Sequence, residues 1–237
     1  MKVVAISGSP KPPSESTTEK FLNLFLEGLG DAATSLERFY PAHMHINYCS
    51  GCHCCWFNTP EQCQHNDDFQ QIRSALTDMD LFILATPLHA DGMTAPAKNV
   101  LDRMLATMPP FMYVDREGRT RHHKDEPNKP KAILISGCGF PEPSNFAPLI
   151  VHFQAACQNL GLEYGGHITI AAAPAANYMP SFAERANLIR EAGRAFAEQG
   201  IIPEPIMEQM NGPWIDADEY RENSNTQFES ILKTPMP

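Results

Sequence analysis

The stretch Val3-Val4-Ala5-Ile6-Ser7-Gly8-Ser9-Pro10-Lys11, continuing through Ser16-Thr17-Thr18-Glu19-Lys20-Phe21, decides how the rest of the chain is read. Its apolar residues run into a Gly/Ser/Pro-rich turn. Behind a cluster of hydroxyls, apolar positions of helical spacing then begin at Phe21, Leu22, Leu24, Phe25 and Leu29. The order is strand, loop, helix. Such a loop sets free backbone N–H groups and Ser/Thr hydroxyls at the positive end of a helix, which is what holding a phosphate requires. No Gly-Lys-Ser/Thr follows at the Walker spacing, and the stretch lacks Gly-x-Gly-x-x-Gly. The same residues also fit an ordinary strand-to-helix turn with hydroxyl capping.

Working outward, the apolar runs Leu81–Ala85 and Ala132–Ser136 and the short segments Leu36–Tyr40 and His167–Ala171 read as further strands. Helical patterns separate them. One follows the Asp67-Asp68 cap with Phe69, Ile72 and Leu76 on one face, and one runs from Ala95 to Met104 with Pro96 in its first turn. Another runs from Phe146 to Leu160, closed by Gly161, and the last from Phe182 to Gln199, closed by Gly200. Five strands alternating with helices predict an α/β fold with a parallel sheet and right-handed crossovers. Ligands of such a sheet bind beyond the carboxyl ends of the strands. Three loops fall at that edge, Gly8–Ser16, Pro87–Met93 and Gly137–Asn145, and all are rich in Gly, Ser and Pro.

Three segments break the alternation. Asn47–Asn66 has no usable periodicity and reads as a loop. Met108–Pro130 carries Arg116, Arg119, Arg121, His122, His123 and Lys124 among acids and prolines, and reads as an extended arm. From Ile201 onward, prolines and polar residues predict a tail.

The 237 residues suffice for one large domain or two small ones, and 43% hydrophobic with 19% charged residues are ordinary globular values. A formal net charge of −10 disfavours nucleic acid and anionic membrane surfaces as partners, although local backbone donors can still hold an anionic nucleotide. No apolar run approaches the roughly 20 residues that span a bilayer, and the first apolar stretch is too short for a signal peptide. A cytoplasmic location is therefore expected. Of seven cysteines, five crowd between Cys49 and Cys63, where a reducing compartment favours chemistry over disulfides.

At this point the residues resemble a family. Ser7-Gly8-Ser9-Pro10-Lys11 with Thr18, Cys49-Ser50-Gly51-Cys52-His53-Cys54-Cys55-Trp56 with Cys63, Asp67-Asp68, Thr86-Pro87-Leu88-His89 and Lys98-Asn99-Val100-Leu101-Asp102-Arg103 are similar, in that order, to the NADPH-dependent FMN reductases and iron-sulfur flavoproteins. The resemblance covers roughly residues 1–140. It implies a flavodoxin-like fold with a five-stranded parallel sheet of order 2-1-3-4-5 and helices on both faces, bound FMN, reduction by NAD(P)H, and a homodimer or homotetramer whose subunits flank the flavin. The domain would span 1–200, with the cysteine loop at 47–66 and the arm at 108–130. Residues 201–237 would be an extension packing on the body or on a neighbouring subunit.

Carried over by position, Ser9, Pro10, Lys11, Ser16, Thr17 and Thr18 would hold the FMN phosphate. Pro87, Leu88, His89, Ala90, Asp91, Gly92 and Met93 would line one side of the isoalloxazine, and Gly137, Cys138, Gly139 and Phe140 the other. Two departures stand out. His89 occupies a position where the family often has Tyr, and Pro12-Pro13-Ser14-Glu15-Ser16 replaces a shorter turn. Hydride transfer between stacked rings needs orientation and desolvation rather than a side-chain acid or base, so no catalytic residue is assigned.

Cys49, Cys52 and Cys55 have C-x2-C-x2-C spacing and Cys63 follows after seven residues. One loop can wrap such thiolates round a [4Fe-4S] cluster, as the iron-sulfur flavoproteins do, whereas zinc prefers two separated pairs. The alternative is a set of idle or redox-sensitive thiols in a cluster-free reductase. Cys54 falls outside the spacing, and Cys157 reads as core. His43 and His45 lack a carboxylate partner and read as solvent-facing; Asp102 and Arg103 read as helix and interface pairs; Trp214 and Tyr220 read as anchors of the tail. The basic arm would meet either solvent or a subunit, or the 2′-phosphate of NADPH.

Three functions compete. The first is an FMN-dependent NAD(P)H oxidoreductase serving a quinone, a flavin or another small acceptor. The second is an electron carrier exchanging with ferredoxin-type partners, and the third a cysteine-loop redox or metal sensor.

Overall fold

The computed structural model describes residues 1–122, 129–178, 182–212 and 215–233. In chain order the elements are β1 (Lys2–Ser7), α1 (Thr17–Leu29), β2 (Ser35–Phe39), α2 (Cys54–Phe57), α3 (Phe69–Leu76), β3 (Leu81–Pro87), α4 (Ala95–Arg103), β4 (Tyr113–Val114), β5 (Thr120–Arg121), β6 (Lys131–Gly137), α5 (Ala147–Asn159), β7 (Glu163–Ile170), α6 (Phe182–Gln199), α7 (Glu204–Met210) and α8 (Ala217–Lys233). Five strands form one parallel sheet in the order β2-β1-β3-β6-β7, while β4 and β5 pair separately as an antiparallel hairpin. Counting only the strands of the main sheet, this is the 2-1-3-4-5 order of a flavodoxin-like fold.

Period-two alternation divides the apolar residues between two cores. Val3 and Ala5 of β1, Leu81, Ile83 and Ala85 of β3, and Ile133 and Ile135 of β6 pack against Phe21 and Phe25 of α1 and Ile189 and Phe196 of α6. Their neighbours Val4, Ile6, Phe82, Leu84 and Leu134 face the other way, onto Ile72 of α3, Val100 of α4 and Phe153 of α5. A sheet buried on both faces explains why β3 and β6 are unbroken apolar runs.

Glycine sets the closest helix contact. A Cβ added at Gly28 of α1 would stand 2.1 Å from the Arg190 carbonyl oxygen of α6, and one at Gly193 of α6 would stand 2.3 Å from that of Phe25. The two backbones touch.

Elsewhere the structure departs from the sequence reading. β7 starts at Glu163, four residues before His167, because Gly165 and Gly166 lie inside the strand beside a register shift at Ala132/Ile133. At Gly166, φ is +128° and a Cβ would meet Ile202 at 2.8 Å, so the glycine admits the chain that follows α6. The cysteine segment is not wholly loop, since α2 forms one helical turn within it. The tail is helical. α7 buries Ile206 and Met210, but α8 buries none of its described residues. His123 and Lys124 of the arm, and Trp214, lie outside the described residues.

Gly193→Ala is expected to destabilise the fold by about 1–3 kcal/mol or more, because backbone rather than a flexible side chain must yield. A fall in the urea midpoint at unchanged slope checks this.

Candidate cofactor cleft and cysteine segment

At the carboxyl edge of the sheet, hydrogen bonding continues past the strands into the loops. Gly8 N–H donates to the Ala85 carbonyl (2.7 Å), Leu88 N–H to Gly137 (2.9 Å), Cys138 N–H to Ile170 (3.0 Å) and Ala173 N–H to Cys138 (2.8 Å). Thr94, which caps α4 by accepting from Ala97 N–H, donates through its hydroxyl to the Gly8 carbonyl at 2.6 Å and receives no room to spare there: a Cβ at Gly8 would stand 2.9 Å from Thr94 Oγ1. The loops after β1, β3, β6 and β7 are thereby fixed to one another.

They enclose a cleft of about 220 Å³ lined by Ser9, Pro10, Lys11, Ser16, Thr17, Thr18, Pro87, Leu88, His89, Gly137, Cys138 and Gly139, together with Ala173 and Pro174. The last two were missed by sequence reasoning. They lie on a fourth loop at the same sheet edge, just past β7, in an Ala/Pro run with no polar residue to signal a site. Five expected residues, Ala90, Asp91, Gly92, Met93 and Phe140, fall elsewhere. His89 and Gly92 exchange hydrogen bonds at 3.0 Å across a tight turn whose central residues Ala90 and Asp91 have φ of +47° and +60°, which puts them at an exposed tip. Met93 is buried in the core beside α4. Phe140 is exposed and lines a second, adjoining cavity. The proline-rich insertion forms a single exposed 3₁₀ turn, Pro13–Glu15, before α1.

The chemistry of the cleft suits a phosphate monoester. First-turn N–H groups of a helix have no intrahelical acceptor. Ser16 Oγ accepts from Glu19 N–H at 3.2 Å, leaving those of Thr17 and Thr18, beside the hydroxyls of Ser9, Ser16, Thr17 and Thr18, for an anion. Glu19 is the residue whose role the sequence reading missed. Its carboxylate, 2% exposed, accepts from Ser7 Oγ (2.7 Å), Tyr40 Oη (3.1 Å) and Arg38, tying the first turn of α1 to β1 and β2. The Ser16-x-x-Glu19 pattern of a capping box was its signal, although the carboxylate turns to the sheet rather than back to the cap.

A buried ion pair anchors the cysteine segment. Arg103 and Asp67 side chains are 1% and 0% exposed, joined at 2.8 and 3.1 Å, and Arg103 also donates to the Asn47 carbonyl at 2.7 Å. Asn47 in turn donates to Asp67 from its backbone N–H and side-chain amide. Burial pushes Asp67 up, but Arg103 and Asn47 together outweigh it and hold the carboxyl well below the usual carboxylate range. Arg103 is therefore an internal clamp joining both ends of the segment to α4, not an interface residue; Asp102 pairs with Lys98 along the helix at 2.5 Å.

Within the segment Cys49 and Cys52 are exposed, Cys63 half-buried and Cys55 buried. Among the described residues no three His, Cys, Asp or Glu side chains stand close enough to hold a single metal ion. The four thiols nonetheless share one field. Cys55 is pushed up first by burial and then by Cys63, Cys52 and Cys49, and Cys63 lies within the electrostatic reach of the Arg103 guanidinium. Cys52 is drawn down by the Cys54 N–H and the Ser50 hydroxyl. Cys157 is core, its thiol pushed up to about 12 by burial. On the arm, Arg119 and Arg121 are each 3.4 Å from Asp115, so neither offers a bare cation to a phosphate, and the His122 ring lies 4.8 Å from Trp56 of α2.

The profile of the NADPH-dependent FMN reductases matches residues 1–139, more than half of the chain. The chain belongs to this family. As a member of the NADPH-dependent FMN reductases it has relatives called iron-sulfur flavoprotein. One from Archaeoglobus fulgidus is 32% identical over 105 residues, which is 44% of this chain and 46% of that protein. One from Methanocaldococcus jannaschii is 31% identical over 103 residues, 44% of this chain and 51% of that protein. The chain thus spans about half the length of the curated relatives it matches. Among solved structures, an FMN-dependent NADH-azoreductase from Bacillus anthracis in complex with FMN has a TM-score of 0.60 at 13% identity, covering 83% of this chain and 99% of that one. An NAD(P)H:quinone oxidoreductase from Methanothermobacter marburgensis has a TM-score of 0.59 at 15% identity, covering 83% and 96%. These two likenesses are of fold. Among the described residues, no helix is long and apolar enough to cross a membrane.

Asp67→Asn is expected to cost about 3–5 kcal/mol, because it leaves the Arg103 charge buried without its partner. The sign with pH follows from a depressed carboxyl: the wild-type pair stabilises fully above about pH 4 and loses that contribution as pH falls further. Denaturant titrations of the variant should therefore show a shallower loss of stability below pH 4 than the wild type.

Proposed function

We propose that this protein is an FMN-dependent NAD(P)H oxidoreductase that delivers electrons to a small acceptor. The observation that carries the reading is the cleft itself, in which helix-terminal N–H groups and the hydroxyls of Ser9, Ser16, Thr17 and Thr18 stand at one end and the backbone-rich walls Pro87–His89 and Gly137–Gly139 at the other. The hydroxyl end would hold the phosphate, and the walls would orient and desolvate a flat ring. FMN, when bound, supplies the capacity to accept a hydride and to pass electrons on singly or in pairs. With a quinone as acceptor, NAD(P)H and one solvent proton yield NAD(P)⁺ and the hydroquinone, so two electrons and two protons are accounted for.

The exposed Phe111, Met112 and Val114 on the arm suit contact with a second copy, in keeping with a homo-oligomer. A second reading, an electron carrier with ferredoxin-type partners, draws on the cysteine segment. Cys49, Cys52, Cys55 and Cys63 would hold a [4Fe-4S] cluster, with the Arg103 cation beside Cys63 offsetting thiolate charge.

Two measurements separate the readings. The FMN-loaded protein should oxidise NADPH continuously when a quinone is supplied; a carrier would show almost no turnover. Iron and sulfide analysis after anaerobic purification should give about four irons per chain if the cysteines hold a cluster. Ser9→Ala and Thr17→Val are each expected to weaken FMN by about ten- to a hundredfold, the worth of one hydrogen bond to a charged group, and flavin fluorescence titration checks this.

A further inference from the structure

A cavity of about 1100 Å³ adjoins the cofactor cleft, and Gly139 and Pro174 line both. Its roof is α8. The helix is held over the cavity by two polar ties to the loop after β6: Tyr220 Oη donates to the Gly139 carbonyl at 2.8 Å, and Arg221 pairs with Glu142 at 2.5 Å. Large apolar side chains that look misplaced on an exposed surface converge here. Phe140 is 65% exposed, Tyr178 87% and Phe228 57%, and all three line this one space with Tyr220. Exposed aromatics gathered round a concavity mark a binding site. Flat, rigid rings are suited to stack on another flat ring.

Charge narrows the ligand further. The lining carries the carboxylates of Glu142, Asp216 and Glu219, against one guanidinium, Arg221, which is already committed to Glu142 and Asp218. Asp216 caps α8 by accepting from the Asp218 and Glu219 N–H groups at 3.0 and 2.9 Å, but three carboxylates against one guanidinium leave the lining net negative, which disfavours an anionic group in a chain whose net charge is −10.

We infer that the cavity under α8 is the acceptor site, taking uncharged or cationic flat aromatic compounds and rejecting anionic ones. The inference rests on the oxidoreductase reading above and adds the acceptor's place and charge. Tyr220 and Arg221 are positioning residues that hold the roof; Tyr178 and Phe228 supply stacking surface; Asp216 and Glu219 set the charge preference.

The test uses full-length, FMN-loaded protein and two probes of one ring system, 2-methyl-1,4-naphthoquinone and its 2-sulfonate analogue. Equilibrium dialysis against the oxidised protein, without NADPH, should show the neutral quinone bound at least tenfold more tightly than the sulfonate. Phe228→Ala and Tyr178→Ala should each weaken the neutral quinone at least fivefold, in dialysis and in KM, while FMN affinity and the rate at which NADPH bleaches the flavin stay unchanged. Asp216→Asn with Glu219→Gln should narrow the gap between the probes by about tenfold. Equal binding of the two probes overturns the inference. So does neutral-quinone binding that is unchanged in both aromatic variants, or a Phe228→Ala variant whose only change is in oligomeric state by sedimentation. Failure of the oxidoreductase reading shows separately, as absent flavin or absent bleaching by NADPH, and the dialysis arm can still be read in the protein without flavin.

Discussion

The hydroxyl of Thr94 joins the two halves of the cleft, and the rest of the site depends on it. It accepts from Ala97 N–H to start α4 and donates to the Gly8 carbonyl, while Thr94 N–H donates to Thr86 Oγ1 at 3.1 Å. A single side chain therefore fixes the β1 loop, the β3 loop and the head of α4 to one another. The backbone bonds from Gly8 to Ala85, Leu88 to Gly137 and Cys138 to Ile170 carry the same order across the sheet edge. Loops at the carboxyl ends of parallel strands have no ladder of their own to define them. Here the ladder is extended into them, so the shape of the cleft is set by backbone bonds of the protein itself.

The Arg103–Asp67 clamp does comparable work for the cysteine segment. A twenty-residue stretch with one short helix cannot bury enough apolar surface to order itself. Clamping Asn47 and Asp67 to the same guanidinium closes the segment at its neck, so its thiols are presented as a group on a short closed loop. The cost of burying the charges is met by bidentate geometry and by the donors of Asn47. Phe69 adds its ring under the guanidinium at 4.7 Å.

What the sequence made legible follows from where local and global physics agree. β3 and β6 are buried on both faces, so their apolar runs stand out, and α6 ends at Gly200 because φ there is +70°. The strand order came from the family resemblance and not from any residue pattern. β7 was misplaced because Gly165 and Gly166 are turn signals locally, while their use, admitting Ile202, is visible only in three dimensions. Ala173 and Pro174 went unnoticed as cleft residues because the run Ala171–Ala176 has no polar side chain to mark a site. Arg103 was misread for a related reason: a charged residue at a helix end is ordinarily solvated, and its partner lies 36 residues away. α8 escaped notice as a helix because its few apolar residues, Tyr220, Phe228, Ile231 and Leu232, are scattered among polar ones, and its role lies in its ties to Gly139 and Glu142.

The central claim is that the Ser/Thr-rich start of α1 holds a phosphate and the loops beyond it hold a flavin ring. The most direct measurement is a side-by-side fluorescence titration of the flavin-free protein with FMN and with riboflavin. These ligands share the ring and differ in the phosphate. The account predicts FMN bound at least a hundredfold more tightly than riboflavin, with the difference shrinking as inorganic phosphate is added as a competitor. Equal affinity for the two flavins, or binding of neither, would contradict it.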